Sequence, residues 1–487
     1  MSSTSFRVAL ASSCAALLLL LVAPPAFAQT YPFPTSAHYA RGFIPPAATA
    51  AVALSSYTSW KTKYLLDDCG NGYYRVDNAT GDASTFSEGQ GYGMVLTAYF
   101  GDKTQFDGLW AFAQKNYNSN GLMGWHVTCT GFTTSDGGSG SATDGDTDIG
   151  FGLIVAAAQW GGTYLQTAKT YLATLKSVEF TTCSPTGRNM PNAGNWDTTN
   201  GVGGGCKASN TSYWMPGYYR VFQEITGDPY WGKAADDIID LYNLAADPST
   251  GIIVNEVDQN GVAVAGQTYD YNSCRIPWRG VLDYLWNGTA GAAEETTKIT
   301  NWANTVGIMN IVDGYDANGT ATGMYKGLNE WVGGFTAGAM SNSQTLVNSF
   351  ANYFVSIAND NGTYYGASLR TLYLLELSGN EWNPLTTGGL GAGVIGGAEA
   401  GSTSAPEGGS DDDSGEPAMA AGEPGGGDAS ATGASGDGGT ANGETPNAHA
   451  SSSSGCGCKL APSESGKAAG IALLSLLALC VRRRRRG

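Results

Sequence analysis

The sequence predicts an all-α fold, an (α/α)6 barrel made of six helical hairpins. Twelve segments carry apolar residues at the spacing of an amphipathic helix, and short glycine-centred turns join these segments in pairs. Long loops rich in Gly, Asn, Ser and Thr separate the pairs, whereas strand-like alternation is rare and is clearest at 251–257. This arrangement predicts that the long loops, with a few short strands, share one rim and form a groove there.

The predicted helices leave only short turns within each pair. They cover residues 47–62, 88–100, 104–116, 145–160, 163–176, 211–226, 229–246, 275–287, 290–307, 328–341, 343–358 and 364–378. Glycine in the connecting turns suits the left-handed residue that follows a helix, and Asp, Pro or Thr suits the start of the next one. The long connections between pairs are 117–143, 180–210, 247–274 and 309–327.

The two ends of the chain carry targeting patterns, which leaves residues 29–390 for the folded domain. Residues 1–28 combine a positive residue, an apolar run and a small-residue cleavage site, as in a secretory signal peptide. Residues 391–455 are almost all Gly, Ser, Ala, Asp, Glu, Pro and Thr, and predict a disordered linker. Residues 456–487 hold a cysteine motif, an apolar helix and an arginine cluster, which indicates an anchor whose positive end lies inside the cell.

The tail as a whole resembles the surface-sorting signals of some Gram-negative bacteria, notably myxobacteria. This resemblance implies processing and lipid attachment near Cys456 or Cys458, and the alternative is a simple tail anchor. In either case we expect an exported protein, extracellular or held at the cell surface, whose tail engages the membrane or the sorting machinery.

Exported proteins form disulfides, and five cysteines fall in the folded domain. Cys183 and Cys206 bracket a stretch rich in Gly, Asn and Pro, so they are the first predicted pair. Cys69 with Cys129 is the second, which leaves Cys274 unpaired.

The composition argues against several classes of partner and cofactor. The formal net charge is −17, and nucleic-acid binding needs a basic face, so we expect no nucleic-acid partner. Only three histidines and no Cys-x-x-Cys pair occur, which argues against a zinc or redox site; we expect neither a metal nor a cofactor. We also expect a monomer.

Two groups of carboxyl residues stand at the starts of apolar helices. Asp144, Asp146 and Asp148 occupy alternate positions at the start of the fourth predicted helix, and Glu88 starts the second. Such clustering is unfavourable because like charges repel and burial disfavours ionisation. Two carboxyl groups brought to one cleft, one an acid and the other a base or stabiliser, are what glycoside hydrolysis requires.

Four motifs in this order resemble glycoside hydrolase family 8, and the resemblance covers roughly residues 35–385. They are Ser-Glu-Gly-Gln-Gly-Tyr-Gly-Met at 87–94, Ala-Thr-Asp-Gly-Asp-Thr-Asp-Ile-Gly at 142–150, Ser-Tyr-Trp-Met-Pro-Gly-Tyr-Tyr-Arg at 212–220 and Arg-Ile-Pro-Trp-Arg at 275–279. The resemblance implies an (α/α)6 barrel with a catalytic rim. It also implies an inverting, endo-acting enzyme that cleaves β-1,4-linked polysaccharide without a cofactor.

The resemblance assigns the general acid to Glu88 and a sugar contact at the cleavage site to Asp144. We expect burial beside Tyr92 and other aromatic residues to raise the pKa of Glu88, so that it stays protonated near neutral pH. The alternative is a glutamate that merely interacts with the positive end of a helix. Asp144 also suits helix capping, and Asp146 and Asp148 are expected to support the site from the first turns of the same helix.

The sequence departs from the family pattern at the general base. Many members carry an Asp three residues before the first Arg of Arg-x-Pro-x-Arg, where this chain has Asn272, and an amide cannot take a proton from water at useful rates. Asp270 is the first alternative, because in an extended segment it would face the same side as Asn272, about 7 Å along the chain. Glu256 and Asp258 in the preceding loop come next. The remaining alternative is a site without a base, that is, a non-catalytic glycan-binding surface protein.

Aromatic and polar side chains in the motifs and long loops are predicted to bind the sugar. Aromatic rings stack on the apolar faces of sugars, and the Arg guanidinium can bond either sugar hydroxyls or a carboxylate such as Asp144 or Asp270. The predicted substrate-binding residues are Tyr92, Trp125, Asp146, Tyr213, Trp214, Tyr271, Asn272, Arg275, Trp278 and Arg279; Trp331 and Tyr365 are further loop aromatics. Trp110, Trp231 and Trp286 are instead predicted to be core residues.

The prediction is therefore a secreted glycoside hydrolase that cleaves a β-1,4-linked polysaccharide, with cellulose or another β-glucan as the first expected substrate. Xylan and then chitosan are the alternatives within the same family. A polysaccharide lyase is disfavoured, because its acidic substrates require a basic cleft and the chain has only 25 Lys and Arg residues, several of them in the tail.

Overall fold

Twelve α-helices and nine short strands make up the part of the chain that the computed structural model describes, residues 30–35, 39–196 and 204–391. The predicted signal peptide at 1–28, the predicted linker beyond residue 391 and the predicted tail at 456–487 lie outside the described residues. Within the described ranges, every helix is too short or too polar to cross a lipid bilayer.

All twelve predicted helices are present. They are α1 (Ala50–Tyr64), α2 (Ser87–Phe100), α3 (Lys103–Lys115), α4 (Thr143–Trp160), α5 (Tyr164–Glu179), α6 (Pro216–Thr226), α7 (Pro229–Ala245), α8 (Ile276–Asn287), α9 (Ala290–Val306), α10 (Asn329–Gly338), α11 (Gln344–Ser356) and α12 (Tyr364–Leu377). The turns that follow α2, α6 and α8 contain left-handed glycines at Gly101, Gly227 and Gly288, as predicted.

Two predicted helix bounds are wrong. The segment predicted at 211–226 begins with a 3-10 turn at Thr211–Tyr213, and α6 starts only at Pro216. Proline has no N–H and disfavours helical geometry in the residue before it, so it suits the first position of a helix rather than its interior. The helix predicted at 328–341 ends at Gly338 and tightens into a 3-10 turn over Ala339–Ser341.

The strands are short; the first three lie between α1 and α2, and the others lie in the predicted long connections. They are β1 (Leu65–Leu66), β2 (Arg75–Val76), β3 (Ser84–Phe86), β4 (His126–Thr128), β5 (Gly131–Phe132), β6 (Phe180–Thr182), β7 (Asn189–Pro191), β8 (Ser209–Asn210) and β9 (Glu256–Val257). They pair antiparallel as β1–β2, β3–β4–β5, β6–β7 and β8–β9. Of the predicted strand at 251–257, only the last two residues pair, with Glu256 opposite Asn210.

The even-numbered helices form the buried part of the domain. All residues of α10 are buried, as are all of α2 except Glu88, all of α4 except Trp160 and all of α12 except Tyr365. The odd-numbered helices bury one face, and each of α3, α5, α7, α9 and α11 packs on the even-numbered helix before it. Because Glu88 and Tyr365 interrupt otherwise buried helices near their N-termini, solvent reaches α2 and α12 at that end.

The cysteine predictions are confirmed. Disulfides join Cys69 to Cys129 and Cys183 to Cys206, and Cys274 is free and buried. The first bridge ties the loop after α1 to the hairpin before α4, and the second closes the excursion between β6 and β8.

Candidate active site

The side chain of Arg275, just before α8, organises the candidate site. Its guanidinium hydrogen-bonds side chains from four separate segments. Nη1 donates to Glu88 Oε2 at 2.8 Å, to Tyr92 Oη at 2.8 Å and to Asp144 Oδ2 at 3.0 Å, and Nη2 donates to Ser212 Oγ at 2.7 Å and Asn272 Oδ1 at 3.3 Å. Arg is suited to this because its donors form a rigid fork. The four sequence motifs therefore meet at one guanidinium.

Glu88 is poised between its neutral and charged forms. Burial raises its pKa to about 7, while the nearby Arg275 charge acts in the opposite direction and Asp144 adds to the rise. Its Oε1 accepts a hydrogen bond from Tyr364 Oη at 2.8 Å, and its side chain remains 17% exposed. A carboxyl group of this kind can hold a proton near neutral pH and still reach a ligand from the cleft.

Asp144 is the second carboxyl at the Arg275 guanidinium. Its Oδ1 accepts from the Gly145 backbone N–H at 2.8 Å, and its Oδ2 receives Arg275 Nη1. The neighbouring Asp144 raises the pKa of Glu88 and so favours its protonated form. The site therefore places a carboxyl group that can hold a proton next to a second carboxyl group, and both contact the same guanidinium.

Glycines bring the helices that carry Glu88 and Asp144 close together. A methyl group added at Gly145 would lie 2.5 Å from the Ser87 backbone carbon, and one added at Gly91 would lie 2.8 Å from the Gly145 carbonyl oxygen. Both contacts are shorter than van der Waals distance, so only glycine allows α2 and α4 to approach in this way. Gly91 in the first motif and Gly145 in the second therefore allow the close approach of the two helices that carry the carboxyl groups.

One turn deeper, Arg279 and Asp148 form a second ion pair. Arg279 Nη2 donates to Asp148 Oδ2 at 2.7 Å and Oδ1 at 3.0 Å, and both side chains are 1% exposed. The guanidinium lies 3.9 Å from the ring centre of Trp278, which is itself fully buried. The prediction that Arg279 and Trp278 contact substrate is therefore corrected: both belong to the core beneath the site.

Asp146 is also fully buried, on the side of α4 that faces α5. Its Oδ1 accepts from the Met123 backbone N–H at 3.3 Å and from the Tyr171 hydroxyl. Desolvation raises its pKa to about 8. Because no part of Asp146 is exposed, the prediction that it contacts sugar directly is corrected. Its buried place in the first turn of α4 agrees with the other expectation, that it supports the site from within this helix.

The segment that carries Asn272 and Asp270 is not extended. Tyr271 and Asn272 form a turn, Ser273–Arg275 form a 3-10 turn, and the Cys274 N–H donates to the Asp270 carbonyl. The two side chains consequently have different neighbours: Asn272 reaches Arg275, whereas Asp270 accepts from Asn255 Nδ2 at 2.5 Å and Thr268 Oγ1 at 2.9 Å. The extended geometry on which the Asp270 prediction depended is wrong, because the 3-10 turn begins before α8.

The two loop carboxyls proposed as alternatives differ in environment. Glu256 in β9 is half-buried, accepts one hydrogen bond from Gln267 Nε2 at 2.9 Å, and has a pKa raised by burial. Asp258 instead accepts the backbone N–H groups of Asn260 and Val262, so it caps the turn after β9.

The predicted aromatic residues divide by burial. Trp125, Tyr271 and Tyr365 are partly exposed, and Trp125 stacks on Phe86 next to the start of α2. Tyr92 and Tyr213 are buried but contact the Arg275 guanidinium, through a hydrogen bond and a ring face respectively. The structure gives no exposed ring at Trp214 or Trp331, which are at most 1% exposed, so these two are corrected to core residues. Of the tryptophans predicted to be core, Trp231 is buried, and Trp110 and Trp286 are partly buried against the core.

Two residues at the site were missed in the sequence. Ser212 lies in a quoted motif, but nothing in its pattern distinguishes it from a capping serine until the structure shows it on Arg275. Tyr364 precedes Tyr365 at the start of α12, more than 270 positions from Glu88 in the chain, and its hydroxyl donates to that carboxyl. Adjacent tyrosines at a helix start are a weak signal, because buried tyrosines are common in this sequence.

Among the described residues, one group offers three metal-ligand atoms within 4.8 Å of one another, namely Asp68, Cys69 and Cys129. The two sulfurs are joined in a disulfide, so they are not available as thiolate ligands.

Comparison with known proteins identifies the family to which this chain is similar. Residues 31–379 match the family model described as Glycosyl hydrolases family 8. Endoglucanase C of Ruminiclostridium cellulolyticum is 32% identical over 375 residues, covering 74% of this chain and 79% of that protein. The Beta-glucanase of Niallia circulans is 31% identical over 414 residues, covering 78% of this chain and 98% of that protein.

One solved structure matches this chain over the whole length of the solved protein. The apo structure of the β-1,3-1,4-glucanase from Paenibacillus sp. X4 superposes with a TM-score of 0.66 at 30% identity, covering 73% of this chain and 100% of that one. Rex8A from Paenibacillus barcinonensis, solved with xylose, has a TM-score of 0.58 at 18% identity, and this likeness shows the shared fold alone.

Proposed function

The chain belongs to glycosyl hydrolase family 8, and we propose that it is an inverting endo-glycanase that cleaves a β-1,4-linked glucan at the Arg275 site. It is a glycoside hydrolase; the residue roles and the substrate are our proposal. The observation that carries the roles is the contact between Arg275 and two carboxyl groups, Glu88 and Asp144, from two different buried helices.

Glu88 is proposed as the general acid that protonates the leaving glycosidic oxygen. A general acid is most effective when its pKa lies near the working pH, and burial brings the pKa of Glu88 to about 7. Tyr364 donates a hydrogen bond to one carboxyl oxygen of Glu88, and Arg275 donates one to the other. These two contacts fix the orientation of the carboxyl group and therefore of its proton. Asp144 is proposed to bond a hydroxyl of the sugar at the cleavage point through an oxygen it shares with Arg275.

Glu256 is proposed as the general base, in preference to Asp270. Both oxygens of Asp270 accept hydrogen bonds from Asn255 and Thr268, an arrangement that suits a residue stabilising the turn before α8. Glu256 accepts only one side-chain hydrogen bond, and its strand pairs with β8, directly before the segment that places Ser212 on Arg275. An inverting enzyme needs its two carboxyl groups roughly 6.5–9.5 Å apart to admit water, so a base on a neighbouring loop fits the chemistry.

The substrate proposal rests on the relatives. Endoglucanase, beta-glucanase and β-1,3-1,4-glucanase are the activities named for the similar proteins at about 30% identity. Trp125, Tyr271 and Tyr365, the partly exposed aromatics near the site, are suited to stacking on glucose rings. Xylan and chitosan remain the alternatives to be tested.

The finer architecture and the location of the protein are also proposals. Successive even-numbered helices contact one another from α6 through α12 and back to α2 and α4, and Phe151 of α4 stacks on Tyr218 of α6 at 3.6 Å. These contacts support a closed (α/α)6 barrel, and we propose that the protein is a monomer.

The two disulfides support export, and the sequence of the tail supports retention at the cell surface. Fractionation of cells that express the protein with and without residues 456–487 tests this location.

Activity of the full-length protein tests the function. Reducing-sugar release is measured on mixed-linkage β-glucan, carboxymethylcellulose, xylan and chitosan. We expect cleavage of the glucans, an α-configured new reducing end in the first NMR spectra, and a loss of roughly 10²–10⁴-fold in kcat for Glu88→Gln. Glu295→Gln is the matched control, because Glu295 is another glutamate whose pKa is raised by burial, to about 8, but it lies on α9.

The same assay identifies the base and tests the rival function. We expect Glu256→Gln to lose about as much as Glu88→Gln, and Asp270→Asn to keep most of the activity. The reverse result would return the base to Asp270. Glycan binding without cleavage of any of the four polymers would instead indicate a binding protein that has lost its base.

A further inference from the structure

Behind Asp144, on the side away from the cleft, lies a second pair of carboxyl groups that the proposed reaction does not use. Asp146 is in the first turn of α4 and Glu179 is the last residue of α5, and neither has any exposed surface. The two side chains lie close enough together that each shifts the pKa of the other. Among the described residues, no donor makes a hydrogen bond of normal geometry to Asp146 Oδ2 or to either oxygen of Glu179, although the Ser141 and Thr143 hydroxyls are near enough to lower the pKa of Glu179. Two ionised carboxylates in this position would be strongly unfavourable.

The surroundings of the pair are anchored to three segments. The Met123 N–H and the Tyr171 hydroxyl donate to Asp146 Oδ1, which fixes that oxygen as an acceptor and leaves Oδ2 facing Glu179. The hydroxyls of Ser141 and Thr143, both 0% exposed and without another partner, act on Glu179. Thr143 is the first residue of α4 and directly precedes Asp144, and Ser141 is two residues before Thr143. The pair is therefore connected to the backbone of Asp144 through the start of this helix.

Among the described residues, the groups that act on the pKa values of this pair are hydroxyl, amide N–H and carboxyl groups. Asp144 on α4, Tyr171 on α5 and Tyr117 in the loop after α3 are the titratable groups that act on it. Neither carboxyl takes part in a salt bridge within the described part of the chain. A proton between the two carboxyl groups is therefore the simplest way to balance their charge.

We propose that Asp146 and Glu179 share one proton and act as a positioning pair that holds the start of α4, and with it Asp144, in place while the proton is bound. Asp146 Oδ2–H donates to a Glu179 oxygen, and the Ser141 and Thr143 hydroxyls donate to the same carboxylate. At alkaline pH the shared proton passes to solvent hydroxide, both groups carry charge, and their repulsion separates α4 from α5. The raised pKa of Asp146, about 8, agrees with this sequence.

This inference rests on the proposed role of Asp144 in binding sugar, and its test removes the titration of Glu88. Binding of cellopentaose to the Glu88→Gln protein is measured by calorimetry from pH 6 to pH 10. We expect affinity to fall roughly tenfold across this range as a charge-assisted hydrogen bond of Asp144 is lost. Adding Glu179→Gln should abolish the fall, because the amide donates to Asp146 without a proton to lose.

Glu295→Gln in the Glu88→Gln background is the control. Glu295 is another buried carboxyl whose pKa burial raises to about 8, but it lies on α9, so this variant should keep the fall in affinity. The same fall with Glu179→Gln, or no fall in the parent, would overturn the inference. Absence of binding at pH 6 would count against the proposed function instead.

Crystal structures of the wild-type protein at pH 6 and pH 10 answer the same question if Glu179→Gln does not fold or the parent does not bind. The inference requires the 3.0 Å contact between Arg275 and Asp144 at pH 6 and its loss at pH 10, with Asp146 and Glu179 apart. An unchanged pair and an unchanged contact at pH 10 would refute it.

Discussion

Arg275 and Arg279 are one helical turn apart, carry the same side chain and each pair with an aspartate of α4, yet they serve different regions of the molecule. Arg275 is at the base of the cleft and makes five side-chain hydrogen bonds, including one to Glu88, which is 17% exposed. Arg279 bonds only Asp148, and its Nε and Nη1 have no partner among the described residues. The difference shows that depth along α8, rather than residue type, separates a group that can meet a ligand from one that stabilises the core.

This contrast has an energetic reason. Around Arg275, water in the cleft lets Glu88 gain or lose a proton, so charge at the site can change during a reaction. Around Arg279, both partners are 1% exposed, and an unpaired charge would have no solvent to compensate it. The first cluster should therefore govern rate, and the second should govern stability.

The largest expected effect is at the deeper pair. Replacing Arg279 with Met leaves Asp148 buried and unpaired, and should lower the free energy of unfolding by about 3–5 kcal/mol, measured by denaturant titration. The double variant Arg279→Met, Asp148→Leu should recover most of that loss, because an apolar pair of similar volume replaces the ion pair. A loss below about 1 kcal/mol for the single variant would remove the contrast between the two arginines.

The next effect concerns rate. Arg275→Met should lower kcat by about 10²-fold, since Glu88 and Asp144 lose their common partner, with a smaller change in stability than Arg279→Met. The Arg275 charge lowers the pKa of Glu88, so its removal raises that pKa, and Glu88 stays protonated to higher pH. The alkaline limb of the pH profile of kcat/KM should therefore move upward. An unmoved limb would mean that another group, and not Glu88, sets it.

The smallest expected effect concerns the distance between the backbones of α2 and α4, on which the Arg275 cluster depends and the Arg279–Asp148 pair does not. Gly145→Ala places a methyl group against the Ser87 backbone and should cost about 1–3 kcal/mol of stability through overpacking. It should also reduce kcat, because α2 and α4 move apart at the Arg275 cluster, while the Arg279–Asp148 pair, which joins α8 to α4, is unaffected.

Gly280→Ala on α8 is the matched control for that substitution. Its nearest neighbour would be the Thr296 methyl at 3.3 Å, which a small side-chain shift accommodates. Equal losses of kcat for the two alanine variants would show that the spacing of α2 and α4 has no special role at the site.

The sequence was sufficient for features that depend on nearby residues. Apolar periodicity and glycine-containing turns located all twelve helices to within a few residues at most ends. Loop composition identified the Cys183–Cys206 disulfide, and Cys69–Cys129 was the next predicted pair. The carboxyl groups at Glu88 and Asp144 stood out by their residue type and position at helix starts, and the motif around Arg275 was recognised by its resemblance to a known family. Local patterns survive in the sequence because helix formation and turns depend on neighbours a few positions away.

The tertiary structure alone decided which of those residues face the cleft. Arg279, Trp214 and Trp278 have the residue types of a sugar site, but packing of α4, α6 and α8 buries them. Asp270 was expected beside Asn272, but the 3-10 turn at Ser273–Arg275 gives the two side chains different neighbours. Tyr364 and Glu179 join Glu88 and Asp146 from distant segments, and no short-range pattern encodes such pairs, because burial and partner choice depend on how whole helices pack.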